Sequence, residues 1–187
     1  MKATMMNARK GLALMLALCM GLTLSIGALA ESSDALTAAQ NAALAHAGLT
    51  ENQVTRLYAE RDDDEYEISF EADQVAYEYE ISTRSGEIHK VKMQDMAAYL
   101  NARSITDATI SSDEALAAAL AHAGLSEADV TVRKIEVDRH DGAVHYEVKF
   151  YTDEASYEYE ISAGDGSVLE CEIEYAVNAQ RGGRRHK

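Results

Sequence analysis

Apolar and polar residues alternate with a period of two along much of this chain. The clearest stretches are Tyr146–Phe150, Tyr157–Ile161 and Leu169–Ile173. Strict alternation over five to eight residues predicts half-buried antiparallel strands. The predicted strands are residues 54–61, 66–70, 77–82, 88–93, 130–138, 146–150, 157–161 and 169–173.

Two segments instead carry apolar residues at spacings of three and four, which predicts amphipathic helices. The later segment opens with Ser111 and Glu114 at the spacing of a capping box, and Gly124 ends it. In the earlier segment Thr37 and Gln40 have the same spacing, and a glycine again follows the last apolar residue. These signals predict two helices that each precede four strands.

The chain contains an internal repeat. Ala45–Leu49 recurs as Ala121–Leu125, and Tyr77–Ser82 recurs identically as Tyr157–Ser162. The offset between the copies changes from 76 residues at the helices to 80 at the later strands, so four extra residues lie around 138–143. A hairpin tip tolerates such a difference in length. Asp141-Gly142 suits the two-residue turn of that hairpin.

The predicted fold class is therefore α+β, with two tandem units that each pack one helix on a four-stranded antiparallel sheet. A unit of this size is marginal alone, so we expect the two to pack together. The predicted organisation is a signal peptide (1–30), a first repeat (31–94), a short connecting helix (95–109), a second repeat (110–175) and a flexible basic tail (176–187).

The first 30 residues resemble a secretory signal. Lys2, Arg9 and Lys10 precede an apolar run that ends in Ala28-Leu29-Ala30. This arrangement is typical of a cleaved signal peptide, with a retained membrane anchor as the alternative. We therefore expect a mature protein that begins at Glu31, is secreted or associated with the cell envelope, and has no stable membrane span.

Charge limits the classes of partner. The 187 residues include 17 Lys and Arg and 32 Asp and Glu, for a formal charge of −15, and loss of the leader removes three basic residues and gives −18. Such a charge argues against nucleic acid and anionic membranes and favours cations, basic peptides or cationic proteins. The segment Arg181–Lys187 reverses the sign with four cations in seven residues. Cys171 is the only cysteine after the leader, and we expect a buried thiol.

Several of these residues together resemble the PepSY domain. They are a helix that ends in Ala-His-Ala-Gly-Leu, a strand that reads Tyr-Glu-Tyr-Glu-Ile, and a following glycine at Gly86 or Gly166. The resemblance covers residues 36–93 and 110–174. It implies a role in restraining or escorting an exported enzyme, as in the propeptides of thermolysin-like metallopeptidases. It implies no catalytic residues, because the family shares none, and the sequence has no His-Glu-x-x-His motif.

No residue pattern predicts catalysis, a cofactor or a metal site. His46 and His122 occupy equivalent positions in a last helical turn, where an imidazolium would interact favourably with the helix dipole. His140 and His145 flank a hairpin without further zinc ligands. Residues 62–65 are acidic but lack the glycine of a calcium loop, which indicates a solvated hairpin tip. We therefore predict that the protein is not an enzyme.

The candidate partner-binding surface is the sheet face opposite the helices. Alternation directs eight glutamates to it: Glu67, Glu78, Glu80, Glu147, Glu158, Glu160, Glu170 and Glu172. Like charges on adjacent strands are unfavourable, so counter-ions, solvent or a cationic partner must compensate them. Lys149 lies among them and relieves some repulsion. The leading hypothesis is a non-enzymatic exported protein that binds and regulates an extracellular or cell-wall hydrolase or peptidase. The alternative is an envelope module that captures cations or basic peptides.

Overall fold

The computed structural model describes residues 33–140 and 143–176. The predicted signal peptide, the Asp141-Gly142 turn and all of the predicted tail except Ala176 lie outside these residues. The helices are α1 (Ser33–His46), α2 (Met96–Ala102) and α3 (Ser112–Ala123). The strands are β1 (Thr55–Asp62), β2 (Glu65–Ala72), β3 (Val75–Ser82), β4 (Ile88–Asp95), β5 (Thr131–His140), β6 (Ala143–Tyr151), β7 (Ala155–Ser162) and β8 (Val168–Tyr175).

The alternating stretches form all eight predicted strands, and the strand ends differ from the prediction by at most three residues. The predicted start of α3 is confirmed, because the Glu114 backbone N–H donates to Ser111 Oγ and the Ser111 backbone N–H donates to the Glu114 carboxylate. Gly124 ends this helix with a φ of 71°, a conformation that glycine adopts without steric strain.

The predicted start of α1 was wrong. The chain is already helical at Ser33, where the described residues begin. Thr37 therefore lies inside the helix, and its hydroxyl donates to the Ser33 carbonyl at 2.8 Å instead of capping. Threonine in a helix commonly bonds to the carbonyl four residues earlier, so its spacing to Gln40 marked no helix terminus.

The predicted pair of separate four-stranded sheets was also wrong. All eight strands form one antiparallel sheet in the order β1-β2-β3-β4-β8-β7-β6-β5. The join is the pairing of β4 with β8, which runs from Lys90 opposite Glu174 to Gln94 opposite Glu170. Two separate sheets would leave both strands with unpaired backbone groups at an edge, and their pairing satisfies those groups. We call α1 with β1–β4 the first half and α3 with β5–β8 the second half.

The two large helices lie on the same side of this sheet. α1 covers a cluster that includes Phe70 and Tyr79, and α3 covers a cluster that includes Phe150 and Tyr159. Met93 on β4 and residues of β8 pack against both clusters, so the core continues across the join. Cys171 is a free thiol, so no disulfide joins the described residues, and burial of this apolar surface is the main stabilising contribution available to them.

The third helix lies on the opposite side of the sheet. α2 begins directly after β4, with the Asp95 carboxylate accepting a hydrogen bond from the Ala98 backbone N–H at 2.9 Å. Its Ala102 packs with Ala143 and Leu169. Ala143 precedes Val144, which packs under α3, and successive side chains of a strand point to opposite faces. α2 therefore covers one corner of the face opposite α1 and α3, which we call the open face.

Candidate functional site

Cross-strand register brings the eight predicted glutamates onto the open face. Glu67 lies opposite Glu80, and Glu80 lies opposite Lys90 on β4. In the second half, Glu147 lies opposite Glu160, which lies opposite Glu170. The face also carries Glu60 and Glu136 on the two edge strands, and sequence reasoning had not singled these out.

Two lysines of the second half pair with three of its carboxylates. Lys149 binds Glu147 at 2.6 Å and Glu158 at 2.8 Å, as the sequence led us to expect. Lys134 on β5 lies opposite Lys149 and binds both Glu136 and Glu147. Hydrogen bonds from Lys134 and then Lys149 lower the pKa of the Glu147 carboxyl. Two lysines of this half therefore offset the expected repulsion among Glu136, Glu147 and Glu158.

Charge is also matched where β4 joins β8. Lys90 binds Glu172 at 3.1 Å and Lys92 binds Glu170 at 2.9 Å. The hydrogen bond that the Lys92 ammonium donates to the Glu170 carboxylate raises the pKa of Lys92. The first half supplies the cations and the second half the anions, although Lys90 and Glu170 occupy equivalent positions of the repeat. Aligning the two copies would have revealed this complementarity.

The first half keeps carboxylates without such partners. Glu60, Glu67, Glu78 and Glu80, which we call the first-half carboxylates, form no ion pair within residues 33–140 and 143–176. Lys90 and Lys92 lie opposite Glu80 and Glu78, but their ammonium groups bind β8.

The halves also differ at two equivalent open-face positions away from the join. Tyr58 on β1 lies opposite Ser69 on β2, just as Lys134 on β5 lies opposite Lys149 on β6. Tyr58 is therefore equivalent to Lys134, and Ser69 to Lys149. The two ammonium groups of the second half therefore have no counterpart in the first half. The Tyr58 hydroxyl instead donates to Glu60 at 2.6 Å.

Two groups on the open face of the first half have raised pKa values. The pKa of Glu80 is raised, chiefly by desolvation, and further by neighbouring Glu65 and Glu67, although Lys90 opposes the shift. The hydrogen bond to Glu60, followed by the charge of Glu60, raises the pKa of Tyr58. Both shifts show that negative charge is unfavourable on this part of the open face.

One corner of the open face is buried by α2. His145 on β6 is only 3% exposed, and Nδ1 of its imidazole has no hydrogen-bond partner among the residues that the structure describes. Its Nε2 lies 3.9 Å from the Glu160 carboxylate.

The equivalent histidines of α1 and α3 are structural, but not as imidazolium ions. His122 is 9% exposed, and its Nδ1 lies 3.2 Å from the Tyr159 hydroxyl. Burial lowers its pKa to about 4, so the ring is neutral at neutral pH. His46 makes the same contact with Tyr79, and its Nε2 lies 3.3 Å from the hydroxyl of Tyr175 on β8. The predicted imidazolium at the helix C-terminus was wrong, because burial outweighs the helix dipole.

The other candidate groups have local structural partners. Cys171 is 1% exposed, as expected for a core thiol, and burial raises its pKa to about 12. The acidic run 62–65 forms the tip between β1 and β2, as predicted, where Asp64 pairs with Arg84 and Glu65 contacts His89 at 2.9 Å. Within the described ranges, no three His, Cys, Asp or Glu side chains are grouped so as to hold a metal ion.

A family model identifies the second half. The model described as "Peptidase propeptide and YPEB domain" matches residues 109–172, from just before α3 into β8. These residues are a PepSY domain. The family resemblance drawn from the sequence is confirmed for this part of the chain. The match does not extend to the first half, although the first half repeats the same element order and the same Tyr-Glu-Tyr-Glu-Ile-Ser strand.

A protein of Streptococcus pyogenes serotype M6, named as uncharacterized, is 34% identical to this chain over 61 residues. The aligned region is 33% of this chain and 47% of that protein, so the chain spans about half the length of the curated relative it matches.

Solved structures show only weak likeness. A cysteine-rich secretory protein of Staphylococcus aureus has 13% identity and a TM-score of 0.31, over 65% of this chain and 39% of that one. A BLIP-like protein of Bacteroides fragilis has 14% identity and a TM-score of 0.29, over 86% of this chain and 95% of that one. The YpeB C-terminal domain of Bacillus megaterium has 16% identity and a TM-score of 0.27, over 81% of this chain and 68% of that one. At these TM-scores the likenesses carry no argument. Among residues 33–140 and 143–176, no helix is long and apolar enough to cross a membrane.

Proposed function

We propose that this chain is a non-enzymatic exported PepSY protein that binds an exported peptidase or cell-wall hydrolase and regulates it by inhibition or chaperoning. The observation that carries the proposal is the PepSY domain at 109–172, whose family description names peptidase propeptides. The first half is included as a second, diverged copy. Its support is the identical strand Tyr77–Ser82 and the matching strand order.

The proposed binding surface is the open face, and the first-half carboxylates are its centre. In the second half, equivalent carboxylates already bind Lys134 and Lys149. In the first half they remain available to cationic groups of a partner. Complementary charge across an interface speeds encounter and selects among partners, so a hydrolase with a basic surface patch fits this face.

The same surface supports a second candidate function, the capture of basic peptides in the cell envelope. The observation in its favour is that Glu67, Glu78 and Glu80 lie on adjacent strands and form no ion pair among the described residues, so basic groups of a peptide could pair with them. The two functions differ in the partner and not in the site, so one experiment separates them.

The test uses immobilised residues 31–187 and the secreted and wall-extracted proteins of the producing cell. A first-half variant carries Glu67→Gln, Glu78→Gln and Glu80→Gln. Its matched control carries glutamine at the equivalent second-half positions: Glu147, Glu158 and Glu160. Retained proteins are identified and assayed for peptidase and wall-hydrolase activity with and without the soluble protein.

We expect the wild type and the second-half control to retain a hydrolase whose activity changes on binding, and the first-half variant to lose it. Retention should weaken with salt, because exposed charges are screened within about 10 Å at 0.1 M ionic strength. Retention of basic peptides without a hydrolase would support the second function. Equal retention of a hydrolase by the first-half variant would exclude this face as the binding surface.

A further inference from the structure

The repeat specifies what the first-half carboxylates lack. In the second half, two ammonium groups lie among the equivalent carboxylates, one from Lys134 and one from Lys149. The first half has Tyr58 and Ser69 at those positions. The second half is thus an internal example of the same carboxylates binding two adjacent cationic side chains.

The chain itself carries cations that could fill these positions. Residues 177–187 lie outside the described residues, and their sequence contains Arg181, Arg184, Arg185 and Lys187 without any acidic residue. This is the most basic segment of a chain whose formal charge is −15. Its charge is complementary to the first-half carboxylates, whereas in the second half Lys134 and Lys149 already pair with Glu136, Glu147 and Glu158.

The last described residue before this segment, Ala176, lies at the end of the sheet that carries Glu80, Glu67 and Glu60. The segment follows Ala176, whose backbone N–H donates to the Glu154 carbonyl at 2.8 Å at the end of β8. The last open-face residue of β8 is Glu174, which lies opposite Lys90, which in turn lies opposite Glu80. The chain therefore exits at the end of the sheet where the row of Glu80, Glu67 and Glu60 runs.

The segment is also long enough. Neighbouring strands are about 4.8 Å apart, so Glu67 on β2 lies roughly 14 Å from β8, three strands away. An extended chain spans about 3.3 Å per residue, which places Arg181 within roughly 17 Å of Ala176 and Arg184 within roughly 26 Å. The arginines can reach β1–β3 without any change in the sheet.

We propose that residues 177–187 bind in cis across the open face of β1–β3, with their arginine side chains over the first-half carboxylates near Tyr58 and Ser69. The segment supplies the charges that Lys134 and Lys149 supply in the second half. It also covers the surface assigned above to a partner, which would have to displace it. The cis contact itself does not depend on that assignment.

The test compares backbone amide spectra of isotope-labelled residues 31–187 with those of a tail variant in which Arg181, Arg184, Arg185 and Lys187 are replaced by glutamine. We expect shifts confined to open-face positions of β1–β3, such as Ser69 and Glu78, that disappear at high salt. Unchanged amides of core residues such as Tyr159 report that both proteins are folded.

Two grafted variants sharpen the result. Tyr58→Lys with Ser69→Lys places the second-half residues in the first half, and we expect it to abolish the tail-dependent shifts. Lys134→Tyr with Lys149→Ser is the reciprocal change, and it should draw tail-dependent shifts onto β5–β7. The proposal is overturned if wild-type and tail-variant spectra coincide on β1–β3, or if the graft leaves the shifts intact. Because no partner is present, failure here is distinct from failure to capture a hydrolase.

Discussion

Acidification should destabilise this protein through His122. The imidazole has an ordinary pKa of 6.5 in the unfolded chain and about 4 in the folded protein, because desolvation disfavours its charged form. Between these values the unfolded state binds more protons, so stability falls as the pH falls. A difference of about 2.5 pKa units corresponds to about 3 kcal/mol in total, of which about 2 kcal/mol is lost by pH 5.

The assay is urea unfolding at pH 7.5 and pH 5, followed by circular dichroism, for the wild type and for His122→Gln. The variant removes the titrating group, so its loss of unfolding free energy between the two pH values should be about 2 kcal/mol smaller than that of the wild type. Other groups that titrate in this range contribute equally to both proteins. Equal losses in the two proteins would refute the assignment of a buried neutral imidazole to His122.

Three further predictions concern the pairing of β4 with β8, the packing of the segment between α2 and α3, and the thiol of Cys171. Replacing Lys90 and Lys92 by glutamate opposes β8 with like charges and should reduce the free energy of unfolding by about 2 kcal/mol in urea titrations; no change would contradict the pairing of β4 with β8. A Cβ at Gly164 would overlap the Ile105 side chain, so Gly164→Ala should reduce the free energy of unfolding in urea titrations by about 1–2 kcal/mol, and no change would show that the segment between α2 and α3 does not pack there. Cys171, with its pKa raised to about 12, should resist alkylation at pH 8 until urea unfolds the chain, and rapid alkylation of the native protein would contradict its burial.

Local sequence patterns were sufficient to locate the elements of this fold. Alternation, the Asp141-Gly142 turn and the internal repeat together located the strands, because side chains along much of a strand alternate between the core and the open face, as at Tyr77–Ile81. The capping residues of α3 act on adjacent backbone groups, so spacing alone identified Ser111 and Glu114. The same spacing at Thr37 had no such meaning, because the earlier residues Ser33 and Asp34 are already helical.

Local sequence patterns could not predict contacts between segments that are distant in the chain. Periodicity within one strand does not say which strand lies beside it, so the pairing of β4 with β8 was missed. The available signal was the contrast between Lys90 and Lys92 and their repeat equivalents Glu170 and Glu172. Alternation did assign the glutamates to one face. It could not show that Lys134 pairs with Glu147, because that ion pair depends on the register between β5 and β6.

Burial likewise came from tertiary structure. The sequence placed His46 and His122 in a last helical turn, which favours a cation when that turn is exposed. The sheet covers both rings, and tyrosine hydroxyls of β3 and β7 contact them. The recurrence of both the histidine and the Tyr-Glu-Tyr strand in each copy was the signal that could have linked them.

The central claim is that the first-half carboxylates bind a cationic surface of an exported hydrolase. The most direct measurement is the dissociation constant for the captured hydrolase, compared between the tail variant and the tail variant that also carries the Tyr58→Lys, Ser69→Lys graft, so that no cis contact competes with the hydrolase. The account predicts at least roughly tenfold weaker binding by the graft, equivalent to about 1.4 kcal/mol. Unchanged affinity of the graft, with both proteins folded, would contradict it.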